Sequence, residues 1–177
     1  MDNKNIEIRA ITETDCLEAR KVVNLVWRDA YKHIFPKEVF EDRDKKLQES
    51  ARKIENNIKN GKIFGFVAIF ENKIVGVTLG AYESEYEHYA ILGYSDLQVL
   101  YILPEFQGMN IGTKFFKKIT ETLKDSGKNK MVICALEENF KARKIYEKWG
   151  GKLDASYTKD YVILGKSYKD VFYLYDL

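Results

Sequence analysis

The sequence predicts an α/β layered domain in which helices pack on a mixed β-sheet. Hydrophobic periodicity changes along the chain in the order strand, two helices, three strands, helix, strand, helix and two strands, which is typical of layered folds. The composition, 45% hydrophobic and 32% charged residues with two prolines, indicates a globular protein rather than a disordered one. A chain of 177 residues suits one well-buried core, so we predict a single domain over residues 1–177.

A strand and two helices are predicted before the main sheet. Residues 6–11 alternate apolar and polar side chains, and Thr12 with Asp15 resembles a capping box that opens a helix. Apolar residues then recur at helical spacing, namely Cys16, Ala19, Val23, Val26 and Ala30. After Pro36, a plausible first-turn residue, a second helix ending near residue 60 is marked by Leu47, Ala51, Ile54 and Ile58.

Three strands form the centre of the predicted sheet. Residues 63–70 and 74–81 are β-rich runs, and the three residues 71–73 between them predict a hairpin. Residues 96–103 give the third strand of this group.

The second half of the chain predicts two helices and three strands. Ile111, Phe115, Ile119 and Leu123 mark a helix that ends at residues 126–127. Residues 131–136 predict a buried strand. One face of a last helix is marked by Ala142, Ile145, Tyr146 and Trp149, and the helix ends at residues 150–151. Residues 152–157 and 170–175 predict two final strands.

The distribution of charge is more informative than its sum. A net charge of +2 does not favour general binding to nucleic acid or to anionic lipid. Residues 74–106 contain no Lys or Arg but several acidic residues, whereas basic residues outnumber acidic ones over residues 114–152. A cation-friendly segment beside an anion-friendly one suits a protein that holds a phosphorylated cofactor next to an amine.

We predict a cytoplasmic protein without a membrane segment or a metal site. The longest apolar stretch, residues 63–70, is far shorter than the roughly 20 residues of a membrane helix. Residues 1–9, with Asp2 and Lys4, contain no apolar signal region. Cys16 and Cys134 lack metal-ligand spacing, so we expect two buried, inert thiols.

The most informative segment runs from Phe106 to Thr113. It joins a β-branched stretch that ends at Pro104 to a helix-patterned one that begins near Gly112. Glycine, and to a lesser degree asparagine, adopts left-handed conformations that turn successive N–H groups inward, and the following helix adds the positive end of its dipole. The segment therefore predicts a phosphate-binding loop.

This loop has two alternative interpretations. One is an ordinary glycine-containing turn. The other is a dinucleotide-binding loop, which requires three glycines with a Gly-x-Gly opening and a later acidic residue. The segment lacks the first glycine pair, so the dinucleotide fold is disfavoured.

The order of elements and this loop resemble the GNAT acetyltransferase superfamily. The resemblance is sharpest where the family has Gln or Arg, two residues, Gly, one residue, then Gly or Ala; here Gln107 leads to Gly112. Asn110 stands where the family usually has glycine, and asparagine is one of the few other residues enriched at positive φ. Asn139, Ala142 and Tyr146 complete the resemblance. It implies a centrally splayed sheet with helices on both faces, and acetyl-CoA as cosubstrate.

The resemblance implies which residues contact the cofactor. The loop would bind the pyrophosphate through the backbone of Gln107, Gly108, Met109, Asn110, Ile111, Gly112 and Thr113. Main-chain groups of Leu100, Tyr101 and Ile102 would pair with the peptide-like arm and polarise the thioester carbonyl. These three are also plain core residues of a strand. Asn139 is either a helix N-cap or a cofactor-contacting amide, and could serve both roles.

Tyr146 matches the family's tyrosine near the thioester sulfur, which is proposed to protonate the leaving thiolate. A phenol titrates near ~10 and a thiol near ~8.5, so the transfer is modestly uphill in water. The alternative is that Tyr146 only packs in the core.

The general base is predicted among the acidic residues before the loop. Asp96 is the first choice, and Glu83, Glu85 and Glu87 are further candidates. Some relatives use a glutamate on the strand that here contains Cys134, but no carboxylate occupies that position. A water chain to solvent is an equal alternative.

The resemblance also places an acceptor wall at Trp27, Tyr31, His33 and Phe35, which helical packing explains equally well. Basic residues of the last helix either approach the terminal phosphate or form a solvated face; they are Lys141, Arg143, Lys144 and Lys148.

The acidic segment favours a cationic amine on a small molecule or peptide as acceptor. The terminal strands, with Tyr173, Leu174 and Tyr175, either pair across a homodimer interface, which we expect, or simply complete the sheet. The competing hypothesis is a non-catalytic module that binds or senses acyl-CoA.

Overall fold

The computed structural model describes residues 5–177, in which seven strands form one sheet. Asp2 and Lys4, used above in the prediction about the N-terminal segment, lie outside the described residues. The strands are β1 (Glu7–Ala10), β2 (Ile63–Phe70), β3 (Lys73–Ala81), β4 (Ser95–Ile102), β5 (Lys130–Leu136), β6 (Lys152–Ile163) and β7 (Lys166–Asp176). The helices are α1 (Cys16–Tyr31), α2 (Lys37–Lys45), α3 (Leu47–Lys59), α4 (Glu87–Ile91), α5 (Ile111–Asp125) and α6 (Phe140–Lys148).

The sheet is mixed and splayed at its centre, as predicted. Its strand order is β1-β2-β3-β4-β5-β7-β6. Only β4 and β5 run parallel, and they pair at three positions, residues 95–97 with residues 131–133. Beyond them the two strands diverge, while β5 stays paired with β7 along its whole length. The two halves of the sheet therefore meet at a narrow junction that opens into a gap.

Helices cover both faces of the sheet, which confirms the predicted layers. On one face α1 and α3 pack on β2 and β3 through a core that includes Ala19, Val23, Val67, Val77 and Leu79. On the other face α5 packs through Phe115, Ile119 and Leu123. These side chains follow the helical and alternating spacings of the sequence, since burying both stripes excludes apolar surface from water.

Two short-range predictions are confirmed. Thr12 N–H donates to Asp15 Oδ2 at 2.8 Å in a capping box that leads into α1. The β2–β3 hairpin turns at Glu71 and Asn72, both at positive φ (49° and 62°). Two consecutive left-handed residues are the signature of the turn that matches the natural twist of paired strands.

The prediction of two helices before the main sheet is wrong, because the stretch after Pro36 forms two helices. The backbone leaves helical geometry at Lys46 (φ −89°, ψ 9°), which separates α2 from α3. The apolar spacing that predicted one helix belongs to α3 alone, whereas α2 contributes Phe40 to a separate aromatic cluster. Pro36 is the N-cap residue rather than the first helical one. The five-residue α4 was not predicted, since it buries only Tyr89.

The last two strands are longer than predicted and form a hairpin at the sheet's edge. β7 lies between β5 and β6, so Tyr173 and Tyr175 complete the sheet and are buried within it. Pairing of β7 with a second copy is therefore excluded. A homodimer through another surface stays a prediction.

Candidate functional site

The loop between β4 and α5 has the geometry of an anion cradle. Gly108 (φ +78°) and Asn110 (φ +61°) adopt left-handed conformations, and α5 begins at the next residue, Ile111. No side chain caps this helix start, and its first turn contains no acidic residue. The first N–H groups of a helix have no carbonyl partner within the helix, so those of α5 are available to an anion.

Gln107 fixes the loop to its surroundings. Its Nε2 donates to the Ile102 carbonyl at 3.0 Å, and its Oε1 accepts from Lys141 Nζ at 2.7 Å. This side chain therefore ties the end of β4 to the loop and to α6.

The edge of β4 that faces the gap carries main-chain groups that β5 does not pair beyond residue 97. Gly80 pairs with Leu97 and Leu79 with Val99, so Gln98 is an extra residue in a bulge. Beyond it the Val99 carbonyl accepts from Thr78, and Leu103 N–H donates to Val75. Since main-chain groups alternate in direction along a strand, those of Leu100 and Ile102 point into the gap. Tyr101 pairs with β3 instead, and its side chain faces the α1 side of the sheet.

Tyr146 projects from α6 into a group of tyrosines that includes Tyr31, Tyr101 and Tyr173. Its ring lies 5.9 Å from that of Tyr173. Burial, and then nearby Tyr31, raise the pKa of Tyr146, so the phenol stays protonated. Its hydroxyl has no hydrogen-bond partner among residues 5–177, and is free to donate to a ligand.

Asn139 joins α6 to α1. Its Oδ1 accepts from Ala142 N–H at 3.2 Å, which confirms the N-cap role, and its Nδ2 donates to the Tyr31 hydroxyl at 2.9 Å. The predicted contact of Asn139 with the cofactor stays a prediction.

Asp96 has the environment of a base. It is 3% exposed on β4 and its Oδ2 accepts from Glu85 N–H at 2.7 Å. Its Oδ1 is buried with no partner among the described residues. Desolvation raises the pKa of this carboxyl to about 6, close to neutrality.

A second carboxylate, Asp170 of β7, was missed by the sequence analysis. It is beside Cys134 on the same face of the sheet, and burial raises its pKa to about 6. Leu136 of β5 pairs with Asp170 of β7. β7 therefore places a carboxylate next to Cys134, at a position where β5 itself carries no carboxylate. Strand register, which the sequence alone does not reveal, is the missing signal.

Neither cysteine has the character of a nucleophile. Burial raises the pKa of the Cys16 thiol to about 11 and also raises that of Cys134. The expectation of inert thiols agrees with these shifts, although Cys134 is only half-buried.

The acidic segment before β4 borders an open groove of about 500 Å³. Glu85 and Glu87 line it together with Tyr157 and Lys159 of β6. Glu83 is exposed and does not line this groove. The opposite charges within the groove make it a mixed surface rather than a purely cation-attracting one.

Three of the four residues of the predicted acceptor wall pack together at the end of α1 and in the following turn, while their contact with an acceptor stays a prediction. Trp27 stacks on Phe35 with ring centroids 4.9 Å apart, and Tyr31 meets Phe35 edge-on at 5.7 Å. His33 is exposed and takes no part in this cluster.

The basic residues of α6 divide into different roles. Lys141 binds Gln107 of the loop. Arg143 is used internally, since it donates to the Tyr173 hydroxyl and to the Glu137 carbonyl. Lys144 and Lys148 are exposed, as expected of a solvated helix face.

Residues 5–177 contain no group of three or more His, Cys, Asp or Glu side chains that could hold a metal ion. No helix in the same range is long and apolar enough to cross a bilayer. The cytoplasmic location stays a prediction.

Comparisons with known proteins agree with this geometry. A family model described as "Acetyltransferase (GNAT) family" matches residues 21–151. Thialysine N-epsilon-acetyltransferase of Caenorhabditis elegans is 26% identical over 165 residues, covering 93% of this chain and 88% of that protein.

Solved structures share the fold across nearly the whole chain. PaiA N-acetyltransferase from Thermoplasma acidophilum, in complex with coenzyme A, has a TM-score of 0.77 at 19% identity, covering 98% of this chain and 99% of that one. YncA from Salmonella typhimurium, solved with its cofactor acetyl-CoA, has a TM-score of 0.67 at 14% identity, covering 97% and 94%.

Proposed function

This chain belongs to the GNAT acetyltransferase family, and from that premise we propose that it transfers the acetyl group of acetyl-CoA directly to a primary amine. The acceptor is an amine-bearing small molecule or peptide. The start of α5, with left-handed Gly108 and Asn110 and no capping side chain, is the observation that carries the proposal. Such a start suits a diphosphate because unpaired N–H groups and the helix dipole attract negative charge.

The residues of the gap fit the rest of the cosubstrate. Leu100 presents a main-chain donor and acceptor along β4, and Ile102 adds an N–H donor, while the Ile102 carbonyl already accepts from Gln107. Such groups suit an amide-containing arm. The loop from Gln107 to Thr113 would hold the diphosphate, with Lys141 beside it. When bound, acetyl-CoA supplies an activated acetyl group as a thioester.

Asp96 is the proposed base that removes a proton from the incoming amine. An amine with a pKa near ~10.4 is mostly protonated at neutral pH, so it must lose a proton before it attacks. The raised pKa of Asp96, about 6, makes this buried carboxylate a stronger base than an exposed one. Asp170, with a similar pKa, is the alternative on the same face.

Tyr146 is proposed to donate a hydrogen bond to the departing thiolate. The pKa of this tyrosine is raised by burial, which makes full proton transfer to a thiolate less favourable than between the free groups. Donation of a hydrogen bond needs no such transfer and still stabilises developing negative charge.

A cationic amine suits the acceptor side. Asp96 and Asp170 lie on one face with Glu85 close to both, and together they favour a positive ligand. The relative from Caenorhabditis elegans is named for a thialysine side-chain amine, which supports a small amine-bearing acceptor here.

Release of free coenzyme A tests the proposal. The purified protein would be mixed with acetyl-CoA and a panel of amines that includes thialysine, lysine, diamines and a peptide with a free N-terminus. We expect amine-dependent thiol release and an acetylated product by mass spectrometry. A protein that binds acetyl-CoA, yet releases no thiol with any amine, would instead fit the alternative of a non-catalytic acyl-CoA-binding module.

A further inference from the structure

Arg20 of α1 and Arg43 of α2 are half-buried arginines without an anionic partner. The Nε atom of each is enclosed and has no hydrogen-bond acceptor among residues 5–177. Neither guanidinium takes part in a salt bridge within that range. A buried positive charge is costly unless it is paired, so these two groups point to an anion that the chain does not supply.

The surroundings hold Arg43 in place without neutralising it. Its guanidinium carbon lies 4.1 Å from the centre of the Trp27 ring, which in turn stacks on Phe35. The adjacent carboxylate, Asp44, is instead paired with Arg28 and accepts from Asn24 at 3.1 Å. Stacking therefore orients the guanidinium plane, while its donors stay available.

Arg20 and Arg43 lie on helices that contact each other, since Asn24, one turn after Arg20 on α1, donates to the Arg43 carbonyl at 3.3 Å. Burial, and then the positive charge of Arg43, lower the pKa of Arg20 to about 10, while Tyr101 opposes the shift. The pKa of Arg43 is also lowered by burial, and nearby Tyr101 and Tyr31 oppose that shift. Both groups remain charged at neutral pH, so this side of the α1–α2 pair carries two positive charges that no carboxylate of residues 5–177 pairs.

We propose that Arg20 and Arg43 form a carboxylate subsite, and that the acceptor carries a carboxylate as well as the reacting amine. This inference rests on the proposed function, because Tyr101 lies between Leu100 and Ile102, whose main-chain groups line the gap. Two adjacent guanidinium groups match the two oxygens of one carboxylate. The amine of the same acceptor then faces Asp96 and Asp170.

The anion belongs to the acceptor rather than to the cosubstrate. The proposed diphosphate site is at the start of α5, on the face of the sheet opposite α1. Arg20 and Arg43 are on the α1 face, together with Tyr101 and the aromatic wall. The two anion sites are therefore separate.

Matched acceptors that differ only in a carboxylate test the proposal. Initial rates of thiol release would be measured for lysine against cadaverine and for ornithine against putrescine. We expect the wild-type kcat/KM to favour the carboxylate-bearing member of each pair at least tenfold. In the Arg20→Met/Arg43→Met double variant the preference should fall to about one.

Arg52→Met, which changes an exposed arginine of α3, is the matched control and should keep the wild-type preference. A wild-type protein without preference in either pair would overturn the subsite. So would a preference that survives in the double variant.

A second readout does not require turnover. The chain has two tryptophans, so a Trp149→Phe variant reports on Trp27 alone. With coenzyme A present, we expect lysine to change Trp27 emission in a saturable way, cadaverine to leave it unchanged, and Arg20→Met to abolish the lysine response. Equal responses to both molecules, or none to either, would overturn the proposal.

The two proposals fail in different ways. Thiol release without a carboxylate preference would remove the subsite and leave acyl transfer intact. A carboxylate-dependent Trp27 signal without thiol release from any amine would remove acyl transfer and leave a carboxylate-binding site.

Discussion

Single residues at the centre of this protein have properties set by burial rather than by their chemical type. Asp96 and Tyr146 illustrate this, because desolvation moves both pKa values upward. For the carboxylate the shift creates a stronger base, and for the phenol it creates a more persistent donor.

Asp96→Asn should slow acetyl transfer and stabilise the protein. In the wild type, kcat/KM should rise with pH through about 6, following the pKa of Asp96. In the variant, kcat/KM should be about a hundredfold lower. Because the folded pKa is raised above its ordinary 3.8, ionisation of Asp96 destabilises the fold as pH rises from about 4 to about 6. The variant cannot ionise at this position. We therefore expect its free energy of unfolding in denaturant at neutral pH to exceed that of the wild type by at most about 3 kcal/mol.

Asp170→Asn is the comparison for that experiment. If it removes the pH dependence of kcat/KM while Asp96→Asn keeps it, the base is Asp170 and the assignment of Asp96 is wrong.

Tyr146→Phe should lower kcat about tenfold or more, because the departing thiolate loses its hydrogen-bond donor. Folding should be little affected, since the hydroxyl has no partner within residues 5–177. Steady-state kinetics and a melting curve would check both points, with Tyr94→Phe, a tyrosine that lies against Lys130, as the control. Full turnover by Tyr146→Phe would contradict the assigned role.

The sequence could identify those residues whose role depends on neighbours along the chain. Gly108 and Asn110 were found because left-handed backbone follows from residue type. Arg20, Arg43 and Asp170 were missed, because their significance depends on what lies beside them in the folded sheet. A lone arginine on a helix usually faces solvent, and only the packing around it shows that its guanidinium group is buried.

At the scale of elements, α5 is the helix whose start determines the proposed chemistry. Its spacing every four residues was visible in the sequence, and the structure agrees. The break between α2 and α3 was not visible, because both segments are polar and helix-favouring and the interruption at Lys46 carries no glycine or proline. Phe40 of α2 packs in the cluster of Tyr31 and Phe35, whereas Ile54 and Ile58 of α3 pack on the core between α1 and the sheet.

Asn110→Val should weaken acetyl-CoA binding through the backbone alone. A β-branched side chain disfavours the left-handed conformation by roughly 1–2 kcal/mol, so we expect Kd for coenzyme A to rise about tenfold in calorimetry. Asn110→Gly is the matched control and should bind within about threefold of wild type, since glycine adopts this conformation freely. Wild-type affinity in the valine variant would show that the loop geometry does not govern binding.

At the scale of the whole molecule, the order of strands and helices was largely predictable, since periodicity reports which faces are buried. The splay of the sheet was predicted only from the family resemblance. Nothing in the residue spacing from Asp96 to Ile102 shows that β4 and β5 stop pairing after three residue pairs. Packing of α1 and α5 on opposite faces keeps the two halves of the sheet together around this gap.

Hydrogen exchange should show that bound acetyl-CoA protects the amides on the gap-facing edge of β4. We expect the amides of Leu100 and Ile102 to exchange quickly in the free protein and to gain at least tenfold protection in the complex. The amide of Tyr101 is the internal control, because it already pairs with β3. Residue-resolved exchange by NMR would measure all three, and protection of Tyr101 alone would contradict the proposed path of the cosubstrate along β4.

The narrow β4–β5 junction also has a consequence for how the polypeptide could be divided. Strands β1 to β4 precede it in the chain and β5 to β7 follow it, so chain order and position in the sheet coincide. A cut in the turn at Gly127 would leave every antiparallel pairing inside one fragment or the other. Two separately expressed pieces would then have to associate through the packing of α1 and α5 on the second half of the sheet and through three residue pairs between β4 and β5. A molecule that bridges the gap would favour their reassembly.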